Sequence, residues 1–208
     1  MTARREAELL RLRANLEPHF VLSTLNTIAG LVEDEPVEAR RLIGLLGDLF
    51  RDATRNREQD VPSIGEESAW LERYAAIHEA RHGRMIRFEW EIAQEARHMT
   101  IPRLVLQPLV ENAVLHGALR KRRGGLVRVR ASVRRSGNGD LLVCDVEDDG
   151  PGFGTGPRRP GASGLRIVER SLTLGRTRGT LVASREGDMT RMRLTLPAIV
   201  LASVRDQA

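Results

Sequence analysis

The sequence holds a single cysteine, Cys144, among 208 residues. One thiol excludes an intramolecular disulfide framework and a zinc site built on cysteines. Aromatic residues make up 3% of the chain, so the core must be aliphatic, assembled from Leu, Val, Ile and Ala. No window approaches the roughly 18 uninterrupted apolar residues of a membrane-spanning helix. The best run, Pro197-Ala198-Ile199-Val200-Leu201-Ala202, is far shorter. The N-terminus, Met1-Thr2-Ala3-Arg4-Arg5-Glu6, lacks the apolar stretch of a secretory signal peptide. Lysine is nearly missing as well: Lys121 is the only one, and Arg supplies the remaining fixed positive charge.

What is present is ordinary for a globular protein: 41% hydrophobic and 29% charged residues, with a net charge of +5. That composition excludes disorder along the whole length. At roughly 100–200 residues per domain the chain holds one large domain or two small ones. Acidic residues are interleaved with basic ones throughout. The one dense basic cluster, Arg120-Lys121-Arg122-Arg123, reads as a solvated or phosphate-facing loop, with nucleic acid as the lesser alternative. Together these features give the expectation of a soluble, cytoplasmic protein.

The first part of the chain has a helical period. Leu9, Leu12, Leu16 and Phe20, continued by Val21, Leu25, Ile28 and Val32, predict a helix over residues 3–31, with a break near Pro18. A turn at Glu33-Asp34-Glu35-Pro36 leads to a second helix over 37–57, carrying Leu42, Leu45, Leu46 and Leu49. Ser63 followed by Glu66 forms a capping box for a third helix, which ends at His82-Gly83. The pattern then changes. Ile86–Ile92 alternates as a half-buried strand, and 103–118 is an apolar helix. Leu126–Val133 and Leu141–Val146 alternate around a hairpin turn at Ser136–Gly139. A helix over 164–175 and a last strand pair, Gly179–Ser184 with Met189–Leu196, complete the layout. The division is a helical domain over 1–83 and an α/β domain over 84–208.

On a helix, residues four and seven apart share a face. Asn15, His19, Ser23 and Asn26 therefore line one polar stripe. An imidazole nitrogen is nucleophilic near neutral pH and suits transient phosphoryl transfer, although a surface histidine among polar neighbours has the same spacing. The segments around it are more specific. Leu16-Glu17-Pro18-His19-Phe20-Val21-Leu22-Ser23-Thr24-Leu25-Asn26 resembles the phosphoacceptor segment of the LytS/YehU-type sensor histidine kinases. Ile101–Gly117, with Gln107-Pro108-Leu109-Val110-Glu111-Asn112-Ala113-Val114-Leu115-His116-Gly117 at its heart, resembles that family's N box. Glu147-Asp148-Asp149-Gly150-Pro151-Gly152-Phe153 resembles its G1 box, and Ser163-Gly164-Leu165-Arg166-Ile167-Val168-Glu169-Arg170 its G2 region. Tyr74 and Ala80-Arg81-His82-Gly83 are similar to its linker helix. The motifs stand in family order and cover nearly the whole chain.

The resemblance implies an α+β protein: a helical hairpin that dimerises as a four-helix bundle, then a GHKL (Bergerat) ATP-binding domain. The latter has a mixed, mainly antiparallel sheet covered on one face by helices. It implies His19 as phosphoacceptor and Asn112 as the Mg²⁺ ligand. Asp148 would accept from the adenine amino group, with Gly150 and Gly152 letting the backbone pass close to the base. Gly164, Leu165 and Arg166 would face the phosphates at a helix start, and His116 would support the nucleotide pocket or its packing. Glu111 either orients the incoming imidazole or pairs with a nearby Arg or with His116. In hydrolysing GHKL enzymes the general-base Glu precedes the Mg²⁺-binding Asn by four residues. That position is Pro108 here, which suits transfer to histidine better than water activation.

Gly154, Gly156 and Gly161 suit a lid, with Arg158 and Arg159 in it, and Ala162 stands where the family has glycine. Glu17, Leu22 and Ser23 also depart from the family's Asn, Phe and Asn beside the histidine. His78, His82 and His98 have no partners at metal-ligand spacing and read as surface residues, and Cys144 as an inert core thiol.

The expected function is that of a two-component kinase core: Mg·ATP-dependent autophosphorylation on His19, then transfer to an aspartate of a response regulator, of LytTR type by resemblance. The partners expected are a second copy of the chain and that regulator, with no direct nucleic-acid contact. The alternative is an ATP-binding but phosphotransfer-silent interaction protein. The start of the chain fits either a kinase without a sensor or a fragment continuing from a membrane-proximal helix.

Overall fold

A computed structural model describes residues 18–54, 61–103, 105–137, 139–152, 165, 168, 169, 172 and 179–200. The chain divides into two compact units, Met1–Gln59 with Glu72–Gly83, and Asp60–Leu71 with Arg84–Ala208.

In the first unit, α1 spans Pro18–Leu31 and α2 spans Pro36–Thr54. Helix α3, Ile64–His82, contributes its last turns. The predicted helical period is the one that packs. Phe20, Thr24 and Ile28 of α1 step by one turn and are buried, as are Ala39, Leu42, Leu46 and Leu49 of α2 and Tyr74, Ala75 and Ile77 of α3. Leu25 and Val32, assigned to the same apolar face, are 48% and 53% exposed, and Leu22 is 62% exposed. Arg73 pairs with Asp52 between α3 and α2.

The second unit opens with the capping box as expected. The backbone N–H of Ser63 donates to Glu66 Oε2 at 3.0 Å, and that of Glu66 donates to Ser63 Oγ at 3.2 Å. The five strands are β1 (Ile86–Ile92), β2 (Gly125–Arg134), β3 (Leu141–Asp148), β4 (Thr180–Glu186) and β5 (Met189–Pro197). Their order is β1-β2-β3-β5-β4, with β1 parallel to β2 and every other pair antiparallel. This is the mixed, mainly antiparallel sheet that the resemblance implies. Two isolated bridges lie outside it: Ile64 N–H donates to Met99 O at 2.8 Å and Ile101 N–H to Pro62 O at 2.9 Å in one, and Thr100 N–H to Ile199 O at 2.7 Å in the other.

The two faces of the sheet differ. One carries Phe88, Val127, Val129, Ala131, Leu142, Cys144, Val146, Met192, Leu194 and Leu196, all buried. Cys144 lies at 1% exposure, and burial pushes its thiol above the usual range, in keeping with an inert core residue. The other face is a lattice of opposite charges set by strand register. Glu89 stands beside Arg128, Arg128 beside Glu147, and Glu147 beside Arg191; one pair further along, Glu91, Arg130, Asp145 and Arg193 repeat the order. Arg128 donates to Glu89 at 2.7 and 2.9 Å, and Arg193 grips Asp145 through two bonds of 2.7 Å. Glu147, 1% exposed, accepts from Arg130 and from Arg191. Burial alone would raise its pKa, but the two arginine hydrogen bonds outweigh that and hold it below the usual carboxylate value.

Candidate functional site

His19 sits in the first described turn of α1 and is exposed. Its neighbour Phe20 points the other way and is 4% exposed. Ser23 does not face the imidazole with its hydroxyl: Oγ donates back to His19 O at 2.6 Å and Phe20 O at 3.0 Å. Asn26 is exposed, while Asn15 and Glu17 lie outside the described residues. The expectation that His78 is a surface residue is overturned. It is 3% exposed, because it lies one turn beyond Tyr74 on the inward face of α3. His82 is half-buried, and His98 is exposed as expected.

The segment predicted as a regular helix over 103–118 has more than one geometry. An α-helix, α4, covers Gln107–Asn112, with Pro108 in its first turn, where a missing N–H costs nothing. A π turn follows over Ala113–Gly117, and a 3₁₀ turn over Ala118–Arg120. The N–H of Ala118 reaches Ala113 O, five residues back. The π turn packs on β2 and β3, and the 3₁₀ turn on β2. Glu111 accepts from Gln107 Nε2, an amide one turn earlier, at 2.8 Å. Asn112 is half-buried and its side chain caps nothing. His116 is exposed.

The end of β3 supplies the most constructed part of the site. Asp148 is 4% exposed, and its Oδ1 accepts from the N–H of Gly150 at 3.0 Å. The π turn delivers Gly117 directly against it. A Cβ on Gly117 would overlap the Asp148 carboxylate, and a Cβ on Gly150 would overlap the backbone of Gly117. Burial raises the Asp148 pKa to about 6; the Gly150 N–H opposes the shift, Asp149 adds to it and Arg185 opposes it. Asp149 faces the other way: it accepts from Lys121 Nζ and from Leu126 N–H at 2.7 and 2.8 Å. The sole lysine therefore pins the turn that carries Asp148. Gly152 has φ of +82°, and the Arg185 guanidinium occupies the space a side chain would need while donating to Pro151 O at 2.7 Å.

These residues fit the adenine end of a nucleotide. A buried carboxylate at a glycine-lined cradle offers an acceptor to an exocyclic amine, and only its Oδ1 is engaged among the described residues. The phosphate end is less defined. Leu165 is helical and half-buried. Gly164, Arg166, Ala162 and the proposed lid with Gly154, Gly156, Arg158, Arg159 and Gly161 lie outside the described residues. Sequence reasoning missed Gly117, Lys121 and Arg185 as site residues. Gly117 ends the quoted N-box motif and was within reach; the partners of Lys121 and Arg185 depend on distant strands.

Comparison with known proteins agrees with this arrangement. Residues 7–86 match the histidine kinase family. Sensor histidine kinase YesM of Bacillus subtilis is 32% identical over 202 residues, 93% of this chain and 34% of that protein. Sensor protein kinase HptS of Staphylococcus aureus (strain USA300) is 34% identical over 141 residues, 68% of this chain and 26% of that protein. The chain thus spans about a third or less of these relatives. Among solved structures, the histidine kinase domain of the Erythrobacter litoralis EL346 blue-light activated kinase has a TM-score of 0.51 at 20% identity, covering 94% of this chain and 93% of that one. Acinetobacter baumannii histidine kinase AdeS has a TM-score of 0.52 at 14% identity, covering 86% and 95%. Those two likenesses establish the fold. With the family match over the helices and the similarity to YesM along nearly the whole length, the chain is similar to the sensor histidine kinases.

Proposed function

We propose that this chain is the kinase core of a two-component sensor, that it binds Mg·ATP, phosphorylates His19, and passes the phosphoryl group to an aspartate of a response regulator. The observation that carries the reading is Asp148, a buried carboxylate in the Gly117–Gly150 cradle. Asp148 accepts from the adenine amino group, which selects adenine over guanine. The Asn112 amide oxygen is the group suited to hold Mg²⁺, which prefers oxygen ligands. Bound magnesium supplies positive charge against the phosphates. A ring nitrogen of His19 forms a bond to the γ-phosphorus, the bond from that phosphorus to the β–γ bridging oxygen breaks, and ADP departs. Glu111, oriented by Gln107, can receive the ring proton, which otherwise passes to water. Pro108 removes the position from which a carboxylate would activate water, so hydrolysis does not compete.

The exposed apolar residues Leu22, Leu25 and Ile43 on α1 and α2 support a homodimer in which two hairpins form a four-helix bundle. A LytTR-type regulator as acceptor and a cytoplasmic location complete the proposal. Among the described residues no helix is long and apolar enough to cross a membrane.

Incubation with γ-labelled ATP and Mg²⁺ tests the reading. Acid-labile label on the wild type, absent from His19→Gln and Asn112→Ala, is the expected result; label that persists in His19→Gln sinks it. A second reading rests on Ser23, whose hydroxyl is turned back to its own helix. In it the chain binds ATP without phosphotransfer and regulates another kinase. Nucleotide binding weakened by Asn112→Ala, with no label in any variant, would select it.

A further inference from the structure

The helical unit contains one buried polar group that its packing does not require. His78 is 3% exposed, and neither ring nitrogen has a hydrogen-bond partner among the described residues. A neutral imidazole always carries one N–H, and a buried donor without a partner is costly. Phe or Leu would fill the same space without that cost. The ring lies in an aromatic cluster: 5.3 Å from Phe20, 4.6 Å from Tyr74 and 5.7 Å from His82, measured between centroids. Phe20 stacks on Tyr74 at 4.8 Å, and the Arg81 guanidinium carbon lies 5.7 Å from the Phe20 centroid. Burial, with the neighbouring charges of Arg81 and His82, draws the His78 pKa down to about 3, so the ring is neutral. Phe20 follows His19 directly and is the residue that seats this turn of α1. How firmly Phe20 is held sets how far His19 can turn.

We infer that His78 is a positioning residue for His19, acting through Phe20: its unsatisfied nitrogens keep the Phe20 seat weak enough for the first turn of α1 to shift during phosphoryl transfer. The inference rests on the phosphotransfer reading of His19. A ring without nitrogens holds Phe20 more firmly and slows the transfer, although it stabilises the fold. That opposition separates the role from simple packing, in which a better-packed variant is at least as active.

The experiment compares the full chain with His78→Phe and, should that variant fold poorly, His78→Leu. Four readouts are taken: thermal midpoint, amide exchange over 18–24, ATP affinity, and labelling rate at saturating ATP. The expected result is a midpoint raised by a few degrees, unchanged ATP affinity, and both exchange and labelling slowed by about fivefold, the lower end of what an unpartnered buried donor costs. Unchanged exchange over 18–24 overturns the inference, as does slower exchange with an unchanged labelling rate. Absence of label in the wild type defeats the phosphotransfer reading instead, while the exchange measurement still decides whether His78 governs the Phe20 turn.

Discussion

The carboxylate of Asp148 rests against the bare Cα of Gly117, with no room for a methyl group between them. Two segments more than thirty residues apart meet there, and the glycine is the condition for the carboxylate's position. Gly117→Ala must displace Asp148 or the turn that carries residue 117. The expected outcome is a loss of about 1–3 kcal/mol of stability, as for other overpacked sites, and at least about tenfold weaker ADP binding. Denaturant unfolding and calorimetric titration measure the two effects. Unaltered ADP affinity would show that the cradle does not hold the base.

With Asp148 as the base acceptor, nucleotide binding should depend on pH. Its pKa is about 6 in the folded chain, above the ordinary value of 3.8, so the folded state takes up the proton first. The burial cost is therefore fully present above pH 6 and is relieved as pH falls towards 3.8. Asp148→Asn removes that cost, and its stabilising effect at neutral pH should disappear on acidification. The carboxylate is the better acceptor for an amine, so wild-type ADP affinity should fall as pH drops through about 6. A flat affinity profile from pH 5 to pH 8 would falsify the assignment.

Lys121 acts on Asp148 at one remove. Its ammonium neutralises Asp149 at 2.7 Å, and the Asp149 charge is one of the influences that raise the Asp148 pKa. In Lys121→Met that charge is less compensated. The pH midpoint of ADP binding should move upward, and affinity near pH 7 should weaken. An unmoved midpoint with weaker binding would mean that the lysine only holds the turn.

The charged face of the sheet should respond unequally to mutation. Glu147 is 1% exposed and holds two arginines, so Glu147→Gln leaves them facing each other and should cost about 3 kcal/mol. Glu38, paired with Arg41 on the exposed side of α2, is the control. Glu38→Gln should cost at most about 0.5 kcal/mol. Equal costs in denaturant unfolding would contradict the lattice as a source of stability.

Local signals carried much of this architecture in the sequence. The period of Leu42, Leu46 and Leu49, the Ser63–Glu66 box and the alternation of Ile86–Ile92 each depend on near neighbours, and each element is where those signals put it. The lattice was not legible, because Glu89, Arg128, Glu147 and Arg191 are brought abreast only by the register of four strands. His78 differs for another reason: the lack of partners at metal-ligand spacing says nothing about burial. The spacing held the correct signal, since four residues separate it from Tyr74 and the inward face continues through both. Asp148 was legible as a motif, but its burial and its glycine partner came only from the fold.

The π turn over Ala113–Gly117 means that this stretch counts in fives. In an α-helix, residues five apart point about 140° away from each other. Five-residue hydrogen bonding closes most of that angle, so the turn carries Gly117 back towards the side of Asn112. The residue proposed to hold the metal and the base cradle are brought towards one side because one residue is intercalated between them. A chain shortened by one residue here would regain regular helix and lose that alignment. Length, as much as residue type, is thus under constraint between Asn112 and Gly117, and a relative with one residue fewer there would have to meet its nucleotide differently.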